Sequence, residues 1–190
     1  RAIRLGVGGK ASWRRGDFAL LRLAHDKRLA AVQLTNRAGS YGAAGMVWPE
    51  GMLAGLAARA AGTSVAISAS GTFADRVLEG DARMIGDGLA LQGRGAVDLA
   101  GNAARSVAII AEARDPERLF PGIRLEEARL TGTLDGPFRQ LSLPHKLTIA
   151  RLVSGTTRVE TLTQTGIASW DGARLTLPLD ASAARIVTGD

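Results

Sequence analysis

From residue 62 to residue 190, apolar and polar side chains alternate along short segments that glycine-containing turns separate. The clearest segment is Leu141–Ile149, in which Leu141, Leu143, Leu147 and Ile149 share one side of an extended chain. Successive side chains of a strand point to opposite faces, so this alternation predicts strands with one apolar and one polar face. Antiparallel sheets that are wetted on one side have this pattern.

The turns between these segments are short, as in Asp135–Pro137, Ser154–Gly155 and Asp171–Gly172. Short turns join neighbouring antiparallel strands, and no helical pattern interrupts the series, so we expect a meander. Pro144 and Pro178 lie inside two segments and predict edge positions or bulges there. The predicted strands are Ser64–Ser70, Leu91–Leu99, Val107–Ala111, Arg124–Leu134, Leu141–Ile149, Thr156–Thr165, Ala168–Leu179 and Ala181–Val187.

The first 61 residues have a different pattern. Asp17–Leu23 and Leu29–Leu34 predict a hairpin, and the glycine-rich segment Asn36–Gly45 predicts a loop. Helical spacing of leucine and alanine, a preceding proline and a following glycine predict a helix over Gly51–Ala61. One helical turn is also compatible with the proline-bounded segment Asp115–Gly122. We therefore divide the chain into residues 1–61, a hairpin plus a short helix, and residues 62–190, an antiparallel sheet.

Together these patterns predict a mainly β fold, in which one twisted, partly rolled antiparallel sheet is accompanied by one short helix. We expect the two parts to form one continuous domain. The chain begins without methionine and carries no signal, lipidation or membrane-spanning pattern, so we expect it to be an internal segment of a longer protein.

Catalytic chemistry finds little support in the sequence. The chain has no cysteine, and its two histidines, His25 and His145, lie outside any ligand motif, so we expect no metal site. His145 falls in the register of the apolar leucines, which favours a half-buried structural role. No nucleophile elbow is present, and Gly6–Lys10 lacks the spacing of a phosphate loop. We therefore expect no enzymatic activity and no cofactor.

The net charge of +6 comes from 21 arginines and three lysines against 18 acidic residues. A nucleic-acid-binding protein clusters such charge and intersperses aromatic side chains, whereas here the arginines are scattered and aromatic residues make up only 4%. The charge therefore predicts a solvated basic surface and no nucleic-acid partner. Attraction to anionic lipid head groups is compatible with it.

The apolar face is the informative feature. The predicted helix is too short to cover a sheet of more than 100 residues, so either the sheet closes on itself as a core or part of the face stays open as a groove. Aliphatic side chains with few aromatics suit flexible acyl chains. The candidate groove residues are Leu141, Leu143, Leu147, Ile149, Leu175, Leu177, Leu179, Val97 and Leu99.

Four segments of the last 60 residues carry a family resemblance: Leu130–Pro137, Leu141–Leu143, Ala150–Gly155 and Trp170–Leu179. In these segments the chain resembles the TamB/AsmA-like envelope proteins, and YdbH-type members most of all. The resemblance implies a U-shaped, taco-like β-sheet whose apolar groove carries phospholipids between the inner and outer membranes. It also implies a periplasmic location in a Gram-negative bacterium, with the membrane anchor outside this chain. The helix at 49–61 departs from the family pattern.

Two other hypotheses stay open. The chain could be a non-catalytic β-rich scaffold or adhesin segment that binds no lipid. It could also be a docking module that binds outer-membrane assembly proteins by adding a strand at a sheet edge. Phospholipid acyl chains are the partners that the first hypothesis expects.

Overall fold

A computed structural model describes residues 2–5, 9–14, 17–22, 30–37, 39–49, 53–178 and 180–189, with side chains described from residue 39 onward. Within these ranges fifteen strands form one open antiparallel sheet. The strands are β1 Ala2–Leu5, β2 Gly9–Arg14, β3 Asp17–Arg22, β4 Ala30–Arg37, β5 Ser40–Val47, β6 Val65–Ala74, β7 Val77–Ile85, β8 Leu89–Asp98, β9 Ala103–Ala113, β10 Ile123–Glu126, β11 Arg129–Pro137, β12 Leu141–Ser154, β13 Thr157–Trp170, β14 Leu175–Thr176 and β15 Asp180–Thr188.

The described residues form two helices, both short. Helix α1 spans Gly55–Ala61 and connects β5 to β6. Helix α2 spans Pro116–Leu119, where the side chain of Asp115 accepts a hydrogen bond from the Arg118 backbone amide. The expected mainly β fold, a twisted and partly rolled antiparallel sheet, is confirmed. One short helix was expected, and the described residues form a second, α2. It lies in the proline-bounded segment Asp115–Gly122, which was compatible with one helical turn.

Each strand from β1 to β8 pairs with the next one along the chain, as a meander requires, and β9 pairs with β11. The last six strands depart from this sequential pairing in two places. β10 and β11 both pair with β12, end to end along one side, so the predicted strand Arg124–Leu134 is broken at Glu127 and Ala128. β14 and β15 both pair with β13 in the same way.

Two predictions about individual segments are wrong, and one strand after residue 62 was not predicted. The expected loop Asn36–Gly45 is largely strand, because β5 pairs along its whole length with β4 and β6. No strand was expected over Val77–Ile85, which forms β7. The expected strand Ala168–Leu179 is divided: its first residues complete β13, a turn follows at 171–174, and of the described residues after the turn only Leu175–Thr176 return to the sheet as β14.

Pro144 was expected at an edge or a bulge, and β12 is an interior strand there. The ladder between β11 and β12 pairs Gly132 with His145 and Asp135 with Ser142, and skips the two positions between them. Since proline has no amide to donate, it is accommodated where the ladder is interrupted. Pro178 lies just outside β14.

Cross-strand pairing sorts the side chains onto two faces, because directly opposed residues of antiparallel strands share a face. One row across six strands is entirely apolar: Ile67, Met84, Leu91, Ala111, Leu130 and Leu147. The adjacent row, on the opposite face, is mostly polar: Ser68, Arg83, Gln92, Ile110, Thr131, Lys146 and Thr165. The alternation in the sequence is therefore the alternation of the two faces.

From residue 39 onward, where side chains are described, the sheet has almost no buried core. The chain exposes 12608 Å², whereas a compact monomer of this size exposes about 8,600 Å². Only seven apolar residues of the described part are buried, four of them alanines, and no large side chain there is fully shielded from solvent. A single layer leaves its apolar face open wherever no other element covers it.

Two opposed glycines allow β6 and β7 to approach closely. Gly71 pairs directly with Gly80. A Cβ atom on Gly71 would overlap the carbonyl oxygen of Glu79, and one on Gly80 would overlap the carbonyl oxygen of Ser70. Since both obstacles are backbone, neither can move aside as a flexible side chain would.

We therefore expect Gly80→Ala to lower the free energy of unfolding by about 1–3 kcal/mol, the usual cost of overpacking. The matched control is Gly93→Ala on β8, where the nearest atom to an added Cβ is a Val107 methyl at 3.7 Å. This control should be neutral or slightly stabilising. Urea unfolding followed by circular dichroism measures both variants, and equal stabilities would contradict the close approach.

Candidate apolar binding site

Both helices lie on the apolar face and cover one end of it. Between helices and sheet is a cavity of about 380 Å³. Fourteen residues line the cavity and none has a polar or charged side chain: Leu56, Ala60, Leu89, Ala111, Ala113, Leu119, Phe120, Ile123, Leu125, Ala128, Leu130, Leu147, Ile149 and Leu152. Leu56 is 49% exposed and Phe120 is 40% exposed, so the cavity opens to solvent beside these two residues.

Two of the nine candidate groove residues line this cavity. Leu147 and Ile149 form part of its floor on β12, and Ile149 is 6% exposed. Leu147 pairs directly with Leu130 of β11, which also lines the cavity. The half of β12 that carries Leu147 and Ile149 therefore lies at the covered end of the sheet.

Three further candidates lie on the sheet outside the cavity. Leu141, Leu143 and Val97 are half-buried. Leu141 lies eight positions from Ile149, which corresponds to about 27 Å along a strand. Leu143 pairs with Ala168 of β13, which is buried. These residues continue the apolar face away from the helices.

Three candidates are largely exposed. Leu99 is 47% exposed, Leu175 is 58% exposed and Leu177 is 55% exposed. Leu175 pairs with Trp170 at the same end of the sheet as Leu141. Leu179 lies outside the described residues. The apolar face thus has a covered end around Leu147 and an open end around Leu175.

Local sequence patterns did not identify the residues that complete the cavity. Leu119 and Phe120 come from α2 and its C-terminal cap, and Ile123 and Leu125 come from β10. The available signal was the apolar residues around the turn at 115–122. The position of that turn over β12 depends on pairing between distant parts of the chain, which local patterns do not show.

A polar pair interrupts the apolar face of β12 and β13. His145 lies between Leu143 and Leu147, and its Nε2 is 3.0 Å from Oε1 of Gln164, which is 7% exposed. The Gln164 amide donates to the carbonyl oxygens of Thr165 and Pro178 at 3.0 and 3.1 Å. His145 is half-buried and hydrogen-bonded, the structural role that the sequence favoured. Within the described ranges no three His, Cys, Asp or Glu side chains could together hold a metal ion.

The turn Gly86–Gly88, between β7 and β8, holds both helices over the cavity. Its backbone amides at Asp87 and Gly88 donate to the carbonyl oxygens of Ala61 and Ala60 at 3.2 and 3.1 Å, which satisfies groups that a helix end leaves unpaired. On the other side, the backbone amide of Arg114 donates to the Gly88 carbonyl at 2.9 Å.

The side chain of Asp87 adds to these backbone contacts. Its Oδ2 accepts from the backbone amide of Thr63 at 3.0 Å and lies 3.6 Å from Nη1 of Arg118. The pKa of Asp87 lies below its usual value, chiefly because the Thr63 amide donates to the carboxylate, with the Arg118 charge acting in the same direction and burial acting against it. Asp87 therefore links the segment after α1 to α2.

No protein-family model matches this chain, and no curated protein or solved structure matches it either. The resemblance to TamB/AsmA-like proteins therefore stays a prediction, based on the segments that carry it. Neither described helix has the length and apolar character needed to cross a membrane.

The lowered pKa values predict that acid weakens the fold. Asp98 and Asp171, like Asp87, accept backbone amides that hold the pKa of each carboxyl below its usual value. Carboxylates of this kind stabilise the folded chain fully above the unfolded pKa of about 3.9. That stabilisation is lost as the pH falls through the lower folded pKa values.

We expect the free energy of unfolding in urea to drop as the pH falls below about 4. In a variant with Asp87→Asn, Asp98→Asn and Asp171→Asn the drop should be shallower, because an amide does not titrate. Equal slopes for the wild type and the variant would contradict the assignment of these three carboxyls.

Proposed function

We propose that this chain binds lipid acyl chains on its apolar face, as one section of a bridge-like protein that carries phospholipids between bacterial membranes. The cavity under α1 and α2 carries the proposal, because all of its fourteen lining residues are apolar and its mouth opens to solvent. Its volume of about 380 Å³ is in the range of about 300–1,000 Å³ that small-molecule sites occupy. An acyl chain would gain about 0.8 kcal/mol for each methylene buried there.

The chemistry of the lining fits an acyl chain better than a polar ligand. A polar ligand needs hydrogen-bonding groups inside its site, and the lining side chains supply none. Acyl chains need apolar area without directional contacts, and leucine, isoleucine and alanine provide it. The role is passive: lipids move along the apolar face while their head groups stay in solvent.

One arginine beside the cavity supports a lipid with an anionic head group. Arg59 stands next to Ala60 on α1, and Ala60 lines the cavity. The side chain of Arg59 is exposed. Cations next to an apolar site attract phosphate or carboxylate head groups.

The periplasmic location, the anchor outside this chain and the transfer between two membranes rest on the family resemblance alone and belong to the proposal. The scaffold and docking hypotheses predict a chain without lipid. Docking by strand addition would use β15, whose outer edge has no pairing strand among the described residues and whose Ile186 is 65% exposed. The cavity favours the lipid proposal, because strand addition does not require an apolar cavity.

Filling the cavity tests the proposal. Ala111→Met places a longer apolar side chain on the cavity wall, so the affinity for cis-parinaric acid, a fluorescent polyene fatty acid, should fall by about tenfold or more. The matched control is Ala108→Met on the same strand, an exposed position on the opposite face, paired with Arg94. We expect the control to bind like the wild type.

Fluorescence titration measures both affinities, and urea unfolding confirms that both variants fold. If the wild type binds no fatty acid, or if both variants bind it equally well, the cavity is not the lipid site.

A second experiment tests whether the open end belongs to the same lipid path. Leu177→Asp introduces a charge at an exposed leucine, so it should reduce the phospholipid that co-purifies with the chain without unfolding it. Thr176→Asp places the same charge at the adjacent exposed position of the chain and should retain the lipid. Native mass spectrometry counts the bound phospholipid. Equal retention by the two variants would restrict the site to the cavity, and a wild-type chain without lipid would favour a scaffold or docking role.

A further inference from the structure

A second concave site, the polar site, lies across β6 to β9 on the face of the sheet opposite the apolar cavity. Its volume is about 550 Å³, within the range of about 300–1,000 Å³ that small-molecule sites occupy. Six polar side chains of β6, β7 and β8 line it: Ser68, Ser70, Asp81, Arg83, Gln92 and Arg94. It shares no lining residue with the apolar cavity, so a ligand can occupy either site independently of the other.

Cross-strand pairing brings two arginines to the same place on this face. Arg83 of β7 pairs with Ser68 on one side and with Gln92 of β8 on the other. Arg94 follows Gln92 by two positions on β8, so it shares the face and stands diagonally to Arg83. Residues in this diagonal relation are about 7–8 Å apart. Both guanidinium groups can therefore reach one ligand placed between them.

The charges of the polar site do not balance. Nε of Arg94 lies 3.7 Å from Oδ1 of Asp81, whereas Arg83 forms no ion pair with any acidic residue in the part of the chain that the structure describes. The residues that pair with Arg83 across the strands, Ser68 and Gln92, are uncharged. Two arginines and one aspartate give the site a net charge of +1, and Arg83 is its uncompensated cation.

Hydrogen-bond donors dominate the polar site. The guanidinium groups, the side-chain amide of Gln92 and the hydroxyls of Ser68 and Ser70 can all donate. The one carboxylate among the lining residues, that of Asp81, already faces Arg94. A guanidinium matches two oxygens of a phosphate or carboxylate group at once. A donor-rich site with a net positive charge therefore suits an oxyanion.

We propose that the polar site binds a phosphate monoester, with Arg83 and Arg94 holding the phosphate group from two sides. The volume leaves room beside the phosphate for carbons that carry hydroxyl groups, and the side-chain oxygen of Gln92 can accept from one of them. The phosphate belongs either to a soluble molecule or to head groups at a membrane surface. Since the site lies on the other face of the sheet from the apolar cavity, this proposal does not rest on the proposed function.

Calorimetric titration with glycerol 3-phosphate at low ionic strength tests the site. The wild type should bind it with a dissociation constant of about 1 mM or lower. Arg83→Gln removes the uncompensated charge, so the affinity should fall by about tenfold or more. The matched control is Arg129→Gln on β11, an arginine of the same face whose Nη1 lies 3.2 Å from Oε1 of Glu112, outside the site. This control should change the affinity by less than about twofold, since screening weakens distant charges.

A third variant separates ligand binding from a purely structural role of these side chains. Asp81→Asn removes the negative charge of the site and frees Arg94 from its ion pair. The affinity for glycerol 3-phosphate should therefore rise by about two- to fivefold, the range expected for an exposed ion pair. If the charged side chains served only to hold β7 and β8 together, this variant would weaken binding. Urea unfolding shows whether each variant folds as the wild type does.

Sedimentation with phosphatidylcholine vesicles that contain phosphatidic acid distinguishes the two sources, because phosphatidic acid carries the same phosphate monoester. Binding of glycerol 3-phosphate that Arg83→Gln weakens supports a soluble ligand. Binding of the vesicles alone, again weakened by Arg83→Gln and not by Arg129→Gln, supports a membrane surface. The proposal is overturned if the wild type binds neither probe, or if the two arginine variants weaken binding equally.

Discussion

The structure depends on one constraint: an antiparallel sheet of a single layer has an apolar face and no second layer to cover it. In a sandwich or a closed barrel, two sheets or two halves of one sheet bury each other's apolar side chains. Here the described strands form one open sheet, and from residue 39 onward the buried apolar residues are few and mostly small. Short insertions in the sheet cover one part of this face.

The chain supplies two such insertions, and both lie at the same end. The first insertion is helix α1, between β5 and β6. The second consists of helix α2 and strand β10, between β9 and β11. The turn Gly86–Gly88 lies between them and hydrogen-bonds to both. Gly86 and Gly88 are buried, and a Cβ on either would meet backbone atoms of residues 59–61 within 3 Å. A cover of two short helices therefore depends on a three-residue turn, in which two positions must lack side chains.

The sequence predicted the strands whose alternation is strong and missed those whose alternation is weak. β12 was predicted because leucine and isoleucine mark one face. β7 was missed because its apolar face carries Gly80 and Ala82, while its polar face carries charged residues. Ser40–Val47 resembled a loop because glycine, serine and alanine dominate it, although pairing on both sides makes it a strand. Tertiary pairing thus overrides composition in both segments.

The candidate site was predictable only in part, for a related reason. Alternation placed Leu147 and Ile149 on the apolar face, and both line the cavity. The same alternation grouped them with Leu175 and Leu177, which lie on a two-residue strand and just beyond it, at the other end of the sheet. A periodic pattern identifies a face but not a position along it. The position of the helices over the cavity depends on contacts between distant segments, such as Thr63 with Asp87, which are 24 residues apart.

The hydrogen-bonded pair His145 and Gln164 interrupts the apolar face between its covered end and its open end. An unpaired polar group there would retain water and break the face into two parts. Both amide hydrogens of Gln164 have backbone acceptors, which leaves Oε1 to accept from His145, while Nδ1 of His145 lies 3.1 Å from the Leu143 carbonyl. Because one of those acceptors is the carbonyl of Pro178, the pair also fastens the segment after β14 to β13. The hydrogen bond from Gln164 to the Pro178 carbonyl therefore also holds the adjacent Leu177 at the open end of the apolar face.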